Sequence, residues 1–352
     1  MAEIKEYKDY KIAVLGGGHG PRNIERALNR RTRLLISLVG GTQDNGGHTE
    51  KLSRELHIPG IGDIPTRMSN HFLDPYLQDT FDYRWEGEMS FKGERPITST
   101  LASFVYRERS LSEGVKRFES MYASYRGHTI PVTEHKMDLK IDYENGDSKV
   151  GEKHVDGHTL SDPPIKKIEL LPSPSITTMA DIITANPETI EALETSDANI
   201  LAPGTVRGST EPILHIPGIV EAFNKGPHKF VFVNSFNHPE TYGWKASDHL
   251  KLFNEHGLDI DEAVVVKMEH PIPPQYFTEG LQAVYPDIDE CARYAKRIHW
   301  LPITHLEEYK DGRQIVKHDG EIAGDLIYSI LDASRTIHAR MNGSAKKLLA
   351  YA

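Results

Sequence analysis

Within Lys11–Asn23, KIAVLGGGHGPRN, a short apolar run meets four glycines in five positions and then Pro21. An apolar run of this length reads as a strand buried on both faces, and Pro21 opens a helical stretch. Proline costs nothing at a first helical position, because its missing N–H would have no intrahelical partner there. A strand, a glycine turn and a helix in this order make the first unit of an α/β fold. The turn leaves backbone N–H groups uncovered at the positive end of the helix dipole, which suits a phosphate or diphosphate. Glycines can equally close a tight turn with no ligand.

The alternation recurs down the chain. Leu34–Val39, Asn199–Ala202, Lys229–Val233 and Ala263–Met268 read as strands. Helices are expected at 48–56, as one or two at 98–125, at 185–195 with Asn186 capping and Pro187 in the first turn, from Ala246, and at 324–339. Asp63 is a candidate cap for a helix with Pro65 in its first turn. Strands alternating with helices predict a mostly parallel sheet covered on both faces. Residues 130–172 differ: two strand-like stretches, 139–143 and 149–155, flank Asn145-Gly146, and Ile165–Leu171 alternates. We read one α/β domain over 8–345 with a β-hairpin insertion at 130–172.

The formal charge of −10 argues against a broad nucleic-acid surface and leaves anionic ligands to local sites. The single cysteine, Cys291, excludes an internal disulfide and a cysteine zinc cluster, and fits a reducing cytoplasm. The polar N-terminus and the lack of an apolar run of membrane length predict a cytoplasmic protein with no membrane partner. Among 18 histidines there is no HExxH or other tight ligand spacing, so they read as surface or core residues. Oligomeric state is not legible; a homodimer is allowed.

In a parallel sheet, ligands sit beyond the carboxyl ends of the strands. The candidate loops therefore carry Gly17, Gly18, His19 and Gly20; Asp44, Asn45, Gly46 and Gly47; Pro203, Gly204 and Thr205; and Asn234–His249, with Asn234, Thr241, Lys245, Ser247 and Asp248. Asp44-Asn45 between glycines can hold Mg²⁺ or a hydroxyl, or form an Asx turn capping the next helix. Ser247 or Asp248 can likewise serve only as a cap. The glycine run lacks the third glycine of the dinucleotide fingerprint, and Asp44 falls five residues beyond Val39. That disfavours a dehydrogenase.

Together VLGGGHG, DNGGHTEKL, PGIGDI, NPETIEALETSDANILAPGT, IPGIVEAF and NHPETYGWKASDH resemble the CofD-like phospholactate transferase and gluconeogenesis-factor superfamily over about residues 11–320. ASDH, and Lys317-His318-Asp319 in place of Arg-His-Asp, bring the chain nearer the gluconeogenesis-factor branch. The resemblance implies a three-layer αβα Rossmann-like core binding a nucleotide diphosphate. In one branch this is a UDP-sugar-binding regulator of carbon metabolism and cell shape. In the other, a metal-dependent transferase moves a phospholactyl-type group from a guanosine diphosphate donor. On this reading Gly17, Gly18 and Gly20, around His19, cradle phosphate, and Asp44 and Asn45 hold the metal or ribose side. Asp63 stands opposite, and the 203–205 and 234–249 loops close over the distal group, with Lys317 as a further cation. In the transferase, Asp44 and Asp63 are the catalytic pair organising Mg²⁺. The departures are His19 for threonine, Asn45 for a second aspartate, and Pro65-Thr66 where arginine and asparagine are expected.

Overall fold

Seven strands build one sheet in which every pairing is parallel: β1 (Lys8–Gly16), β2 (Thr32–Val39), β3 (His128–Pro131), β4 (Ala198–Leu201), β5 (Lys229–Phe232), β6 (Glu262–Val266) and β7 (Arg297–Leu301). The structure, a computed structural model, describes residues 7–43, 47–88, 92–122, 126–178, 181–308 and 312–349. The spatial order is β3-β2-β1-β4-β5-β6-β7. Gly16 stands beside Val39, and Leu15 beside Leu201, so these strands end level with one another.

The strands read most readily from sequence are those buried on both faces. On one face Ala13, Leu15, Leu38, Leu201, Val231 and Val265 pack under helices at Pro187–Thr195, Ile219–Lys225 and Ala246–Glu255. On the other, Ile12, Val14, Ile200, Phe230 and Val264 pack under α1 (Arg22–Asn29) and the C-terminal helix Gly320–Leu349. The result is the expected three-layer αβα arrangement. Side-chain alternation along a parallel strand feeds both layers, which is why these runs carry no polar face.

β3 and β7 escaped the sequence reading for a physical reason. Both are edge strands: β3 ends in Pro131, and β7 has no fully buried residue. The insertion holds three antiparallel strands in the order 148–150, 136–143, 165–173, around Leu139, Ile141, Tyr143 and Ile168. Its edge strand 148–150 stops at Val150, not Val155, because Gly151 at φ +115 breaks it and Lys153–Asp156 coils into a helical turn. After β7 an antiparallel ribbon, 304–308 with 314–318, folds back across the sheet's carboxyl edge. No described helix is long and apolar enough to cross a membrane.

Candidate functional site

The strand order reverses its direction of growth between β1 and β4. The chain leaves β1 for α1 on one face and leaves β4 for helices on the other, which opens a crevice beyond the two strand ends. There a cavity of about 500 Å³ is lined by Gly17–Gly20, Asp63, Pro203–Thr205, Ser209 and Asn234–Phe236, with His238, Tyr276, Val316 and His318. Glu152 and Asp156 complete it from the insertion.

The glycines are required by what lies against them. A Cβ on Gly17 would stand 2.9 Å from Asp63 Oδ2 and 2.7 Å from Ser209 Oγ, and one on Gly18 would overlap Asp63 Oδ1. Gly41, at φ +97, would place its Cβ 2.7 Å from Asp63 Oδ2. These glycines thus admit the Asp63 carboxylate over the turn, where the sequence suggested a phosphate or a tight turn with no ligand. A Cβ on Gly20 would overlap the Pro203 carbonyl, so the loops after β1 and β4 meet backbone to backbone. Asp63 lies in the first turn of α2 (Asp63–Met68), while Gly62 occupies the cap position, so it does not serve as the cap.

Beneath the turn, Arg67 of α2 is fully buried and uses all five N–H groups. Nε donates to Glu25 Oε2 at 2.8 Å, Nη1 to the carbonyls of Gly16 (3.1 Å) and Gly17 (2.7 Å), and Nη2 to Val14 O (2.7 Å) and Glu25 Oε1. Asn70 Nδ2 also donates to Glu25, at 2.8 Å. Across the crevice, Asn234 Nδ2 donates to Gly204 O (2.6 Å) and its Oδ1 accepts from Gly204 N–H (2.9 Å), locking the loops after β4 and β5 together. The ribbon is tied in by Asn23, which donates to His318 O at 3.1 Å, and by Tyr276, whose hydroxyl accepts from Val316 N–H at 2.8 Å.

Charge changes sign across the glycine turn. Asp63, Glu152 and Asp156 line the main cavity, and burial raises the Asp156 carboxyl. Its histidines are held neutral: burial lowers His238, and burial with the neighbouring His305 takes His318 down to about 4. A second hollow of about 350 Å³ shares His19, Gly20, Val316 and His318 and adds Arg22, Asn23 and Lys317. Arg22, Arg26 and Arg95 all pair with Asp82 beside it. Burial lowers His19, and the nearby Arg95 and Arg22 lower it further, so the field there is positive.

Of the residues expected in the site, Gly17, Gly18, His19, Gly20, Asp63, Pro203, Gly204, Thr205 and Asn234 line the main cavity, and Lys317 lines the second hollow while pairing with Glu307 at 3.0 Å. Asp44, Asn45 and Gly46 lie outside the described residues, and Gly47 begins a helix. Four others line neither hollow. Thr241 is buried in a turn, and Lys245 is exposed at the start of α3 (Ala246–Glu255). Asp248 accepts from Lys245 N–H (2.8 Å), and Ser247 donates to Asp287 (2.6 Å). Asp248 thus closes the helix start, the capping alternative of the sequence reading, whereas Ser247 ties that start to Asp287. Glu152, Asp156 and Ser209 were missed. Nothing local marks an exposed-looking acidic stretch of a hairpin as the wall of a distant crevice.

A profile of the family described as 2-phospho-L-lactate transferase CofD matches residues 12–301. The gluconeogenesis factor of Bacillus subtilis is 27% identical over 328 residues, covering 91% of this chain and 98% of its own. That of Halalkalibacterium halodurans is 26% identical over 287 residues, or 80% and 85% of the two chains. A crystal structure of a Bacillus halodurans protein shares the fold with a TM-score of 0.78 at 23% identity, over 91% of this chain and 100% of that one.

Proposed function

The chain belongs to the CofD family, on its gluconeogenesis-factor branch, and from that premise we propose that it binds a nucleotide diphosphate in the form of a nucleotide sugar. The observation that carries this reading is the reversal of charge across Gly17–Gly20. A diphosphate fits the positive hollow at the start of α1, where Arg22 and Lys317 sit beside the helix N-terminus. Hydroxyl groups fit the larger cavity, where Asp63, Glu152 and Asp156 can accept hydrogen bonds and, among the described residues, no lysine or arginine lines the wall. Its role is then regulatory, in carbon metabolism or envelope synthesis, in the cytoplasm.

Identification by mass spectrometry of the small molecule that co-purifies with the protein tests this. A UDP-sugar is expected, with binding that survives chelation; recovery of NAD, or of no nucleotide, overturns the proposal. The competing reading is a Mg²⁺-dependent phospholactate-type transferase with a guanosine diphosphate donor. It is favoured by the Asp63 carboxylate over the glycine turn, a hard-oxygen ligand of the kind Mg²⁺ takes. Bound there, Mg²⁺ would offset phosphate charge, while Asp63 and the glycine turn would orient the transferred group. Turnover of a guanosine diphosphate donor at enzyme-like rates in Mg²⁺ decides for that reading.

A further inference from the structure

Two residues after Ser209, the chain places Glu211 where its carboxylate meets two imidazoles. His256 Nε2 lies 3.3 Å from Glu211 Oε1, and His215 Nε2, one helical turn beyond Glu211, lies 3.8 Å from the same oxygen. The two rings sit edge to face with centroids 4.7 Å apart, and the three candidate ligand atoms all lie within 4.8 Å of one another. Glu211 is buried, whereas the imidazoles are 29% and 19% exposed, so the cluster has a solvent side. His215 Nε2 is itself buried and has no hydrogen-bond partner among the described residues.

Hydrogen bonding alone leaves this arrangement incomplete. At 3.8 Å His215 is too far from the carboxylate to bond to it, so its nitrogen is aimed at an oxygen it does not reach. A cation between the three atoms satisfies all of them at once. Zinc bonds to imidazole nitrogen and carboxylate oxygen are about 2.0–2.2 Å, which sets tetrahedral ligand–ligand separations at about 3.3–3.5 Å. The observed separations of 3.3 and 3.8 Å bracket that range. Arg207 Nη1 donates to both oxygens of Glu211, at 2.9 and 2.7 Å, and holds the carboxylate with Oε1 toward the imidazoles. Orientation of a ligand by an outer partner is the usual support of a metal site.

We propose that Glu211, His215 and His256 form a binding site for one divalent transition-metal ion of the zinc class, with water in the remaining position. The ion ties the 206–214 segment, whose Ser209 lines the crevice, to the end of α3, apart from the main cavity itself. The spacing was invisible in sequence because His256 is contributed from 45 residues beyond Glu211.

The test uses the full chain without an affinity tag, stripped with a chelator and titrated with Zn²⁺ by calorimetry and with Co²⁺ by visible absorption. One Zn²⁺ per chain, a tetrahedral Co²⁺ band, and a melting temperature raised by Zn²⁺ are expected. His215→Gln and His256→Gln should each weaken Zn²⁺ by about tenfold or more, which is what loss of even a supporting group costs. These half-exposed positions are chosen because Glu211→Gln would strip a buried Arg207 of its partner. Unchanged circular dichroism in the variants shows that the loss is not one of folding. Unaltered Zn²⁺ affinity and stoichiometry in the double variant, or no binding by the wild type at millimolar Zn²⁺, would overturn the proposal.

Discussion

At Arg67 five donors meet five acceptors with neither Arg67 nor Glu25 exposed, so lysine cannot stand in: its ammonium has three donors and no planar fork. Arg67→Lys or Arg67→Met leaves the Glu25 carboxylate buried and under-compensated. Either should cost about 3–5 kcal/mol of stability, the usual penalty for breaking a buried pair on one side. Denaturant midpoints at fixed slope measure it, and a loss below about 1 kcal/mol would mean that Glu25 finds other partners. A second residue-scale expectation concerns pH. His249 is 1% exposed, its Nε2 lies 2.9 Å from Asn237 Oδ1, and burial lowers it to about 4. The unfolded chain takes up a proton near 6.5 that the folded protein refuses until about 4, so stability rises with pH across that window and is lost as pH falls through it. His318 adds in the same direction. His249→Gln should reduce the slope of unfolding free energy against pH between 4 and 6.5 by up to one proton, with no change above pH 7. An unchanged slope shows that His249 is charged in the fold.

At the scale of elements, the crevice depends on two loops that touch through backbone. Gly20→Ala drives a methyl into the Pro203 carbonyl and should cost about 1–3 kcal/mol, with ligand affinity falling as well. Gly146→Ala, in a hairpin turn at φ +93 with open space around it, serves as the comparison: its backbone is strained, but it is remote from the crevice. If both variants lose ligand affinity equally, the contact between the loops has no bearing on the site. Such contacts mark the limit of what sequence shows. β1, β2, β4, β5 and β6 were legible because a strand buried on both faces must be a continuous apolar run. The glycine turn was legible because few residue types tolerate that geometry. Glu152 and Asp156 were not, since their place depends on how the hairpin sheet docks against the 206–210 turn, where Val155 Cγ1 comes within 3.4 Å of a Cβ built on Gly208. Ser247 and Asp248 misled for the converse reason. A polar residue in the first turn of a helix looks the same whether it serves the helix start or meets a ligand.

Over the whole molecule a net charge of −10 gives an anion no general attraction, so the positive hollow must do what the surface does not. This separates two lysines that sequence treated alike. Lys317 lines the hollow, whereas Lys245 is exposed at a helix start and lines neither cavity. Lys317→Ala should weaken a nucleoside diphosphate by about 1.5–3 kcal/mol, the worth of a charge-assisted hydrogen bond, and Lys245→Ala by less than about 0.5 kcal/mol. Because Lys317 also pairs with Glu307 at 3.0 Å, Glu307→Gln should act oppositely and tighten the diphosphate by removing a competing carboxylate beside the ammonium. The carboxylate side makes the reverse demand. Asp156→Asn keeps an acceptor but removes a charge, so it should weaken the nucleotide sugar relative to the bare diphosphate and leave the diphosphate unchanged or tighter. Calorimetry of these variants against UDP and a UDP-sugar, at low and high salt, reads out both halves. The Lys317→Ala loss should shrink in high salt because screening acts on that hollow. If Asp156→Asn instead reduces UDP and UDP-sugar binding alike, the two cavities are not two ends of one ligand, and the nucleotide-sugar reading fails.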